Sequence, residues 1–259
     1  MSEPAASGSE STIRLFTRET TRSARYAAIG ADPEVASRIW FALHGYGQLA
    51  DRFLRPFDGI VPADTCVIAP EGLSRFYLEA PRADGSHMQH VGASWLTREQ
   101  RELEIADAML WLDQVHDEVT RASWRATGIA PWVGVLGFSQ GVATAMRWIA
   151  RGHVAPSQVV AWAGGLAHDA DATALRAKFA HAELTLVCGD DDQFATVEAR
   201  ERILAAAREL HPSPREILFA GRHQLDGDVL RSILSRADIL PANTPATKTP
   251  ATNTPAANV

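Results

Sequence analysis

Short apolar runs alternate with amphipathic helical patterns along most of the chain. Six runs are apolar at nearly every position, which is typical of parallel strands covered by helices on both faces. These predicted strands are Arg38–Leu43, Thr65–Ala69, Trp132–Leu136, Gln158–Trp162, Leu184–Cys188 and Glu216–Phe219. Two earlier segments, Ile13–Phe16 and Arg25–Ile29, are also predicted as strands, with a hairpin as one arrangement of the pair.

Helical patterns fill the stretches between the later strands. The longest is predicted to begin at Thr97, where Gln100 three residues on completes a capping-box pattern, and it places Ile105, Met109 and Leu112 on one face. The other predicted helices are Gly141–Ala150, Ala172–Phe179, Thr196–Leu210 and Gly227–Ala237. This alternation predicts an α/β fold with a mostly parallel central sheet and helices on both faces. Ligands of such sheets bind beyond the carboxyl ends of the strands.

The composition favours one folded domain with polar ends. A chain of 259 residues with 46% hydrophobic content suits a single core, which we predict for residues 12–240. Residues 1–11 and the Pro/Thr/Ala-rich residues 241–259 are predicted to be disordered, because they lack the large apolar side chains that offset the entropy cost of ordering. A net charge of −6 with scattered basic residues argues against a nucleic-acid partner.

The chain shows no targeting or membrane pattern. No apolar run approaches the roughly 18 residues of a membrane span, and the first residues do not resemble a signal peptide. We therefore expect a cytoplasmic protein without stable membrane insertion. Cys66 and Cys188 each lie in a predicted strand and are expected to be free thiols. The oligomeric state stays open, a homodimer included.

The segment Gly137–Gly141 reads Gly-Phe-Ser-Gln-Gly and joins a predicted strand to a predicted helix. A serine on such a sharp turn needs small residues two positions before and two after it, and the turn lifts its hydroxyl above the sheet. The backbone N–H of Gln140 then lies at a helix N-terminus, where it would stabilise a developing oxyanion. Ser139 is the predicted nucleophile. The alternative is a chance match, against which the flanking strand and helix argue.

A second oxyanion donor is expected from the loop after the strand Arg38–Leu43. This loop reads His-Gly-Tyr-Gly over residues 44–47, and its glycines allow the backbone to approach a substrate closely. We predict the N–H of Tyr46 as the donor. A tight loop without function is the alternative.

The acid and base of a serine nucleophile are sought downstream, in the order Asp or Glu and then His. Asp190, Asp191 and Asp192 follow one predicted strand, and their spacing leaves open which of them orients the base. His223 follows the last strand and is the predicted base. The competing histidines precede either the acid or a strand: His153, His168, His181 and His211.

Taken together, these motifs resemble a known family. His44-Gly45 after one strand, Ala-Pro-Glu-Gly at residues 69–72, Gly-Phe-Ser-Gln-Gly, a Gly-Asp-x-Asp turn and a terminal Gly-x-His occur in the order found in the carboxylesterase/phospholipase branch of the α/β-hydrolases, which includes the acyl-protein thioesterases. The resemblance covers about Trp40 to Leu225.

The resemblance implies an α/β-hydrolase fold and carboxylic-ester hydrolysis without a cofactor or metal. It assigns Ser139, Asp192 and His223 as the catalytic triad, and the amides of Tyr46 and Gln140 as the oxyanion hole. It also makes three further residues candidate substrate contacts, namely His44, Gly45 and Trp95. Cys188 and Gln193 stand where family members often have histidine and proline, and the segment Ser74–Ser94, expected to border the acyl pocket, differs from the thioesterases.

The predicted function is therefore a serine carboxylesterase that hydrolyses small or medium acyl esters. An acyl thioesterase or a lysophospholipase on the same triad is the first alternative, and a non-catalytic α/β-hydrolase scaffold the second. The expected partner is a small-molecule ester. His87 and His90 have no third ligand in view, so no metal is predicted.

Overall fold

The computed structural model describes residues 13–81 and 87–235. Its central sheet has seven strands in the order β1-β3-β2-β6-β7-β8-β9. These strands are β1 (Tyr26–Gly30), β2 (Arg38–Leu43), β3 (Thr65–Pro70), β6 (Trp132–Phe138), β7 (Gln158–Trp162), β8 (Glu183–Gly189) and β9 (Arg215–Phe219). Only the β1–β3 pairing is antiparallel. The predicted α/β fold with a mostly parallel sheet is confirmed, and all six apolar runs are strands.

Helices cover both faces of this sheet. They are α1 (Ala50–Phe53), α2 (Arg101–Thr127), α3 (Gln140–Arg151), α4 (Ala172–Phe179), α5 (Val197–Leu210) and α6 (Gly227–Leu234). The helices α2 to α5 contribute to one buried core, and α1 and α6 to the core on the opposite face. Strand β2 shows why both cores form: Ile39 and Phe41 point into the first, Trp40 and Ala42 into the second, as the two-residue period of a strand requires.

A separate antiparallel hairpin was not predicted. Strands β4 (Ser74–Pro81) and β5 (His87–Ser94) pair with each other over their whole length. The hairpin is joined to the loop after β2, where the N–H of Gly47 donates to the carbonyl of Ala93 at 2.8 Å. It therefore fixes the position of the loop that carries Tyr46.

One predicted strand and two predicted helix ends are wrong. Residues 13–16 form no strand, and Ile13, Leu15 and Phe16 are exposed, since these apolar side chains pack against neither the sheet nor a core. Helix α2 begins at Arg101 rather than at Thr97.

The Thr97 side chain explains the second error. Its hydroxyl donates to Glu104 at 2.9 Å, so the capping partner is Glu104 and not Gln100, whose backbone is left-handed (φ 47°). Helix α6 ends at Leu234, three residues before its predicted end. The segments 1–11 and 241–259 predicted to be disordered lie outside the described residues, as do the ends of the predicted domain.

Candidate active site

Ser139 occupies a strained turn between β6 and α3. Its backbone has φ 52° and ψ −117°, a left-handed region that side chains rarely adopt. The two glycines of the motif are required by close backbone approach. A Cβ on Gly141 would lie 2.2 Å from the carbonyl oxygen of Leu43, and one on Gly137 would lie 2.6 Å from the carbonyl oxygen of Gly141. The turn thus packs directly against the end of β2.

His223 links Ser139 to Asp192. Its Nε2 lies 2.9 Å from the Ser139 Oγ, and its Nδ1 lies 2.8 Å from the Asp192 Oδ2. This geometry fits a neutral imidazole that donates from Nδ1 to the carboxylate and accepts the serine hydroxyl at Nε2. His223 lies 84 positions after Ser139 and 31 positions after Asp192 in the chain, and the fold brings it within hydrogen-bond distance of both.

The three consecutive aspartates occupy different environments. The Asp192 side chain is fully buried, and its second oxygen accepts the N–H of Phe194 at 2.9 Å. Asp190 accepts the N–H of Gly221 at 2.9 Å and so holds the loop before His223. Asp191 is 77% exposed and pairs with Arg222 at 3.2 Å. Of the three, Asp192 alone contacts His223 in the described structure.

Aromatic rings hold the His223 imidazole from two sides. The ring centroid of Phe138 lies 5.1 Å away and that of Phe194 lies 4.8 Å away in an edge-on arrangement. Such pairs add to packing beyond the area they bury. Phe194 is itself exposed at the mouth of a cavity described below. The sequence motifs did not single it out.

The two predicted oxyanion donors come from the start of α3 and from the loop after β2. Gln140 is the first residue of α3, so its N–H has no intrahelical partner. The Tyr46 loop is held by the Gly45 N–H, which donates to the Gln48 Oε1 at 2.8 Å. Within the described chain the N–H of Tyr46 makes no hydrogen bond, which leaves it available to a ligand.

His44 and Trp95 do not occupy the predicted substrate-binding position. Both are buried, their rings stack with centroids 4.8 Å apart, and Trp95 Nε1 donates to the His44 carbonyl at 2.8 Å. The His44 Nδ1 donates to the Gly45 carbonyl at 2.7 Å, while its Nε2 accepts the N–H of Gly72 at 2.9 Å. Burial lowers the pKa of His44, which agrees with a neutral ring. The two stacked rings support the loop of residues 44–47, and Gly45 packs against Phe138.

The Gln140 side chain performs a second task that the motif did not reveal. Its Nε2 donates to the Ser94 Oγ and to the Leu96 carbonyl, both at 3.1 Å, and its Oε1 accepts the N–H of Trp95 at 3.2 Å. The residue after Ser139 therefore ties the end of the β4–β5 hairpin to the turn.

Glu71 holds the segments around Arg25, Ala50 and Arg75 together through its buried carboxylate. The side chain is fully buried and accepts hydrogen bonds from Arg25 at 2.9 and 3.0 Å, from Arg75 at 2.6 Å and from the N–H of Ala50 at 3.1 Å. Burial alone would raise the pKa of Glu71, but these hydrogen bonds outweigh it and hold the pKa below its usual value.

Replacing Glu71 by glutamine should lower the free energy of unfolding at pH 7 by about 1–3 kcal/mol, since charge-assisted hydrogen bonds are lost. A carboxyl group whose pKa is lowered by folding stabilises the protein above its unfolded pKa, and this contribution is lost as pH falls. The difference in the free energy of unfolding between wild type and E71Q should therefore become smaller below about pH 4. Urea unfolding at pH 7 and at pH 3.5 measures it, with the exposed Glu34→Gln as control. An unchanged midpoint at pH 7 would contradict the assignment.

A cavity of about 650 Å³ opens beside Ser139 and His223. It lies between α5 and the strands β7, β8 and β9. Most of its wall is apolar, formed by residues such as Ala143, Ala161, Leu186, Ile203 and Leu204. Among the described residues, none from 74–94 lines it. The expectation that the Ser74–Ser94 segment borders the pocket therefore does not hold for this cavity. The end of the β4–β5 hairpin contacts instead the loop after β2 and the Gln140 side chain.

The described residues contain no group of three or more His, Cys, Asp or Glu side chains placed to hold a metal ion. Within the same ranges, no helix has the length and apolar character needed to cross a bilayer. Cys66 and Cys188 are both free thiols. The sequence predicts both to be buried, but only Cys66 is, while Cys188 is partly buried and lines the cavity.

Comparison with solved structures identifies the architecture. Esterase PE8 aligns over 82% of this chain and 98% of its own with 21% identity and a TM-score of 0.52. An acyl-protein thioesterase 2 from Zea mays aligns over 82% and 96% with 14% identity and a TM-score of 0.56. A phospholipase/carboxylesterase from Dyadobacter fermentans aligns over 84% and 98% with 16% identity and a TM-score of 0.54. This chain has the α/β-hydrolase fold.

No protein-family model matches the sequence, and no curated protein matches it either. In an α/β-hydrolase fold the strand-to-helix turn after β6 is the usual place of the nucleophile. Ser139 occupies that turn.

Proposed function

We propose that this protein is a serine carboxylesterase that hydrolyses small or medium acyl esters. The observation that carries the proposal is the hydrogen-bonded series Ser139, His223 and Asp192 at the edge of a largely apolar cavity. A nucleophile, a base within hydrogen-bond reach and a buried carboxylate that orients the base are the parts that acyl transfer needs. The neighbouring apolar wall suits the acyl part of an ester.

The first half of the proposed reaction forms an acyl-enzyme. The Ser139 Oγ attacks the acyl carbon while the His223 Nε2 takes the hydroxyl proton. Asp192 stabilises the resulting imidazolium through its bond to Nδ1. The oxyanion of the tetrahedral intermediate accepts hydrogen bonds from the N–H groups of Gln140 and Tyr46. His223 then gives its proton to the leaving alkoxide as the carbon–oxygen bond breaks.

The second half returns the enzyme to its starting state. Water attacks the acyl carbon and passes a proton to His223, and the carboxylic acid leaves as Ser139 regains that proton. A hydroxyl, a neutral imidazole and a carboxylate are restored, so the cycle needs no further reactant. The small-molecule ester is the only partner that the proposal requires.

A thioester is the alternative substrate of the same three residues. One protein of similar fold is an acyl-protein thioesterase. Matched oxygen and sulfur esters of one acyl chain separate the two assignments by their kcat/KM ratio. A ratio strongly in favour of the sulfur ester would replace the carboxylesterase assignment by the thioesterase one.

A fluorophosphonate probe should label Ser139 in the folded protein with one adduct. The reason is that His223 activates this hydroxyl and the cavity admits the probe. Intact-mass spectrometry followed by peptide mapping measures the adduct, with the exposed Ser213→Ala variant as a control that should label normally. Folded protein that stays unlabelled, or is labelled at another serine, would contradict the proposed function.

A further inference from the structure

Arg200 introduces a cation into the wall of the otherwise largely apolar cavity. It lies on α5, one helical turn from Ile203 and Leu204, and lines the cavity with them. Its Nη1 atom is buried and has no hydrogen-bond partner in the described chain. No ion pair between described residues includes Arg200 either.

The charge of Arg200 influences another residue of the cavity wall. Burial raises the pKa of the Cys188 thiol to about 11, and the positive charge of Arg200, which lines the same cavity, opposes that rise. Arg202 on the same helix contrasts with it, since Arg202 is exposed and donates to the Glu198 carbonyl at 3.2 Å. The two arginines thus differ in location and in hydrogen bonding, although they are two residues apart.

The guanidinium of Arg200 has no acceptor in the described chain, although its buried Nη1 atom is itself closed to the cavity. A ligand that fills the cavity displaces solvent from the remaining guanidinium N–H groups. An acceptor oxygen replaces the lost hydrogen bond, whereas a plain hydrocarbon chain does not. Two exposed carboxylates, Glu201 and Glu216, also line the cavity. They disfavour a further negative charge beside Arg200, so a neutral oxygen fits this wall better than a carboxylate does.

We propose that Arg200 makes the site selective for esters whose acyl chain carries a neutral oxygen, a hydroxyl or keto group, which accepts a hydrogen bond from the Arg200 guanidinium. This inference rests on the proposed function, since it assigns the cavity to the acyl chain. Arg200 is a specificity-determining residue and takes no part in bond breaking.

The test is a panel of p-nitrophenyl esters of one chain length. One member is unsubstituted, others carry a hydroxyl or keto group at successive positions, and one ends in a carboxylate. The best neutral oxygenated ester should exceed the unsubstituted ester in kcat/KM by about ten- to a hundredfold, the range for a hydrogen bond to a charged group. Arg200→Met should bring the kcat/KM values of the oxygenated and unsubstituted esters together, whereas the control Arg202→Met should keep them apart.

Two outcomes would overturn the inference. One is equal kcat/KM for plain and oxygenated esters in the wild type, and the other is a carboxylate-tipped ester that exceeds the neutral ones. Fluorophosphonate labelling of Ser139 in R200M shows that the variant has folded. If wild type and R200M both turn over the plain ester and neither prefers the oxygenated esters, only the Arg200 inference fails. If no ester is turned over and Ser139 is not labelled, the proposed function fails.

Discussion

Replacing Ser139 by alanine should lower kcat on an activated acyl ester by about 10⁴- to 10⁶-fold, the range seen when a serine nucleophile is removed. Alanine has no oxygen to attack the acyl carbon, so only the oxyanion donors and the binding cavity remain. The left-handed backbone at this position is equally strained for serine and alanine, and the melting temperature should therefore change little. Steady-state kinetics at saturating substrate and a thermal melt measure both expectations.

The control for this variant is Ser213→Ala, which changes an exposed serine in a turn before β9. It should keep kcat and the melting temperature of the wild type. A Ser139→Ala variant that is folded and retains more than about a tenth of wild-type kcat would show that another group supplies the nucleophile.

Replacing Asp192 by asparagine should lower kcat by about 10⁴-fold, because an amide cannot hold the imidazole in the tautomer that accepts the serine proton. The Asp192 Oδ2 lies 2.8 Å from the His223 Nδ1 and the side chain is fully buried, so solvent screens its charge little. The measurement is kcat on the same ester together with the rate of fluorophosphonate labelling, and both should fall.

The neighbouring aspartates supply matched controls for this substitution. Asp191→Asn changes an exposed side chain and should leave kcat within about twofold of the wild type, since exposed ion pairs contribute little. Asp190→Asn keeps an oxygen for the Gly221 N–H and should retain most activity. A larger loss in D190N than in D192N would show that the wrong carboxylate has been assigned.

The inner strands of the sheet were predictable because they are buried on both faces. A run such as Arg38–Leu43 has to satisfy two cores, so nearly every position is apolar and the run is visible in the sequence. The β4–β5 hairpin was not predicted, because it lies outside the central sheet and has no comparable apolar run. Ile13–Phe16 is largely apolar, but it joins no strand and stays exposed.

Some side-chain roles are set only by how segments that are distant in the chain pack together. Asp190, Asp191 and Asp192 are equivalent in spacing, and they separate only because the turn after β8 buries one, ties the second to the Gly221 backbone and exposes the third. His44 and Trp95 stack on each other as buried rings, and neither lines the cavity. In the sequence, Arg200 is one of several arginines on an amphipathic helix. Only the packing of α5 over the sheet buries its Nη1 atom.

The sequence by itself determined the α/β architecture, the turn that carries Ser139 and the order in which an acid and a base follow it. Those features are local, because strand periodicity, glycine spacing and helix starts are set by residues a few positions apart. The family resemblance assigned Asp192, but only the tertiary structure shows the burial that brings this carboxylate to His223. The tertiary structure alone decided that His44 supports the loop and that Arg200 lines the cavity. These depend on which side chains the packing of distant segments buries together, and no local pattern records it.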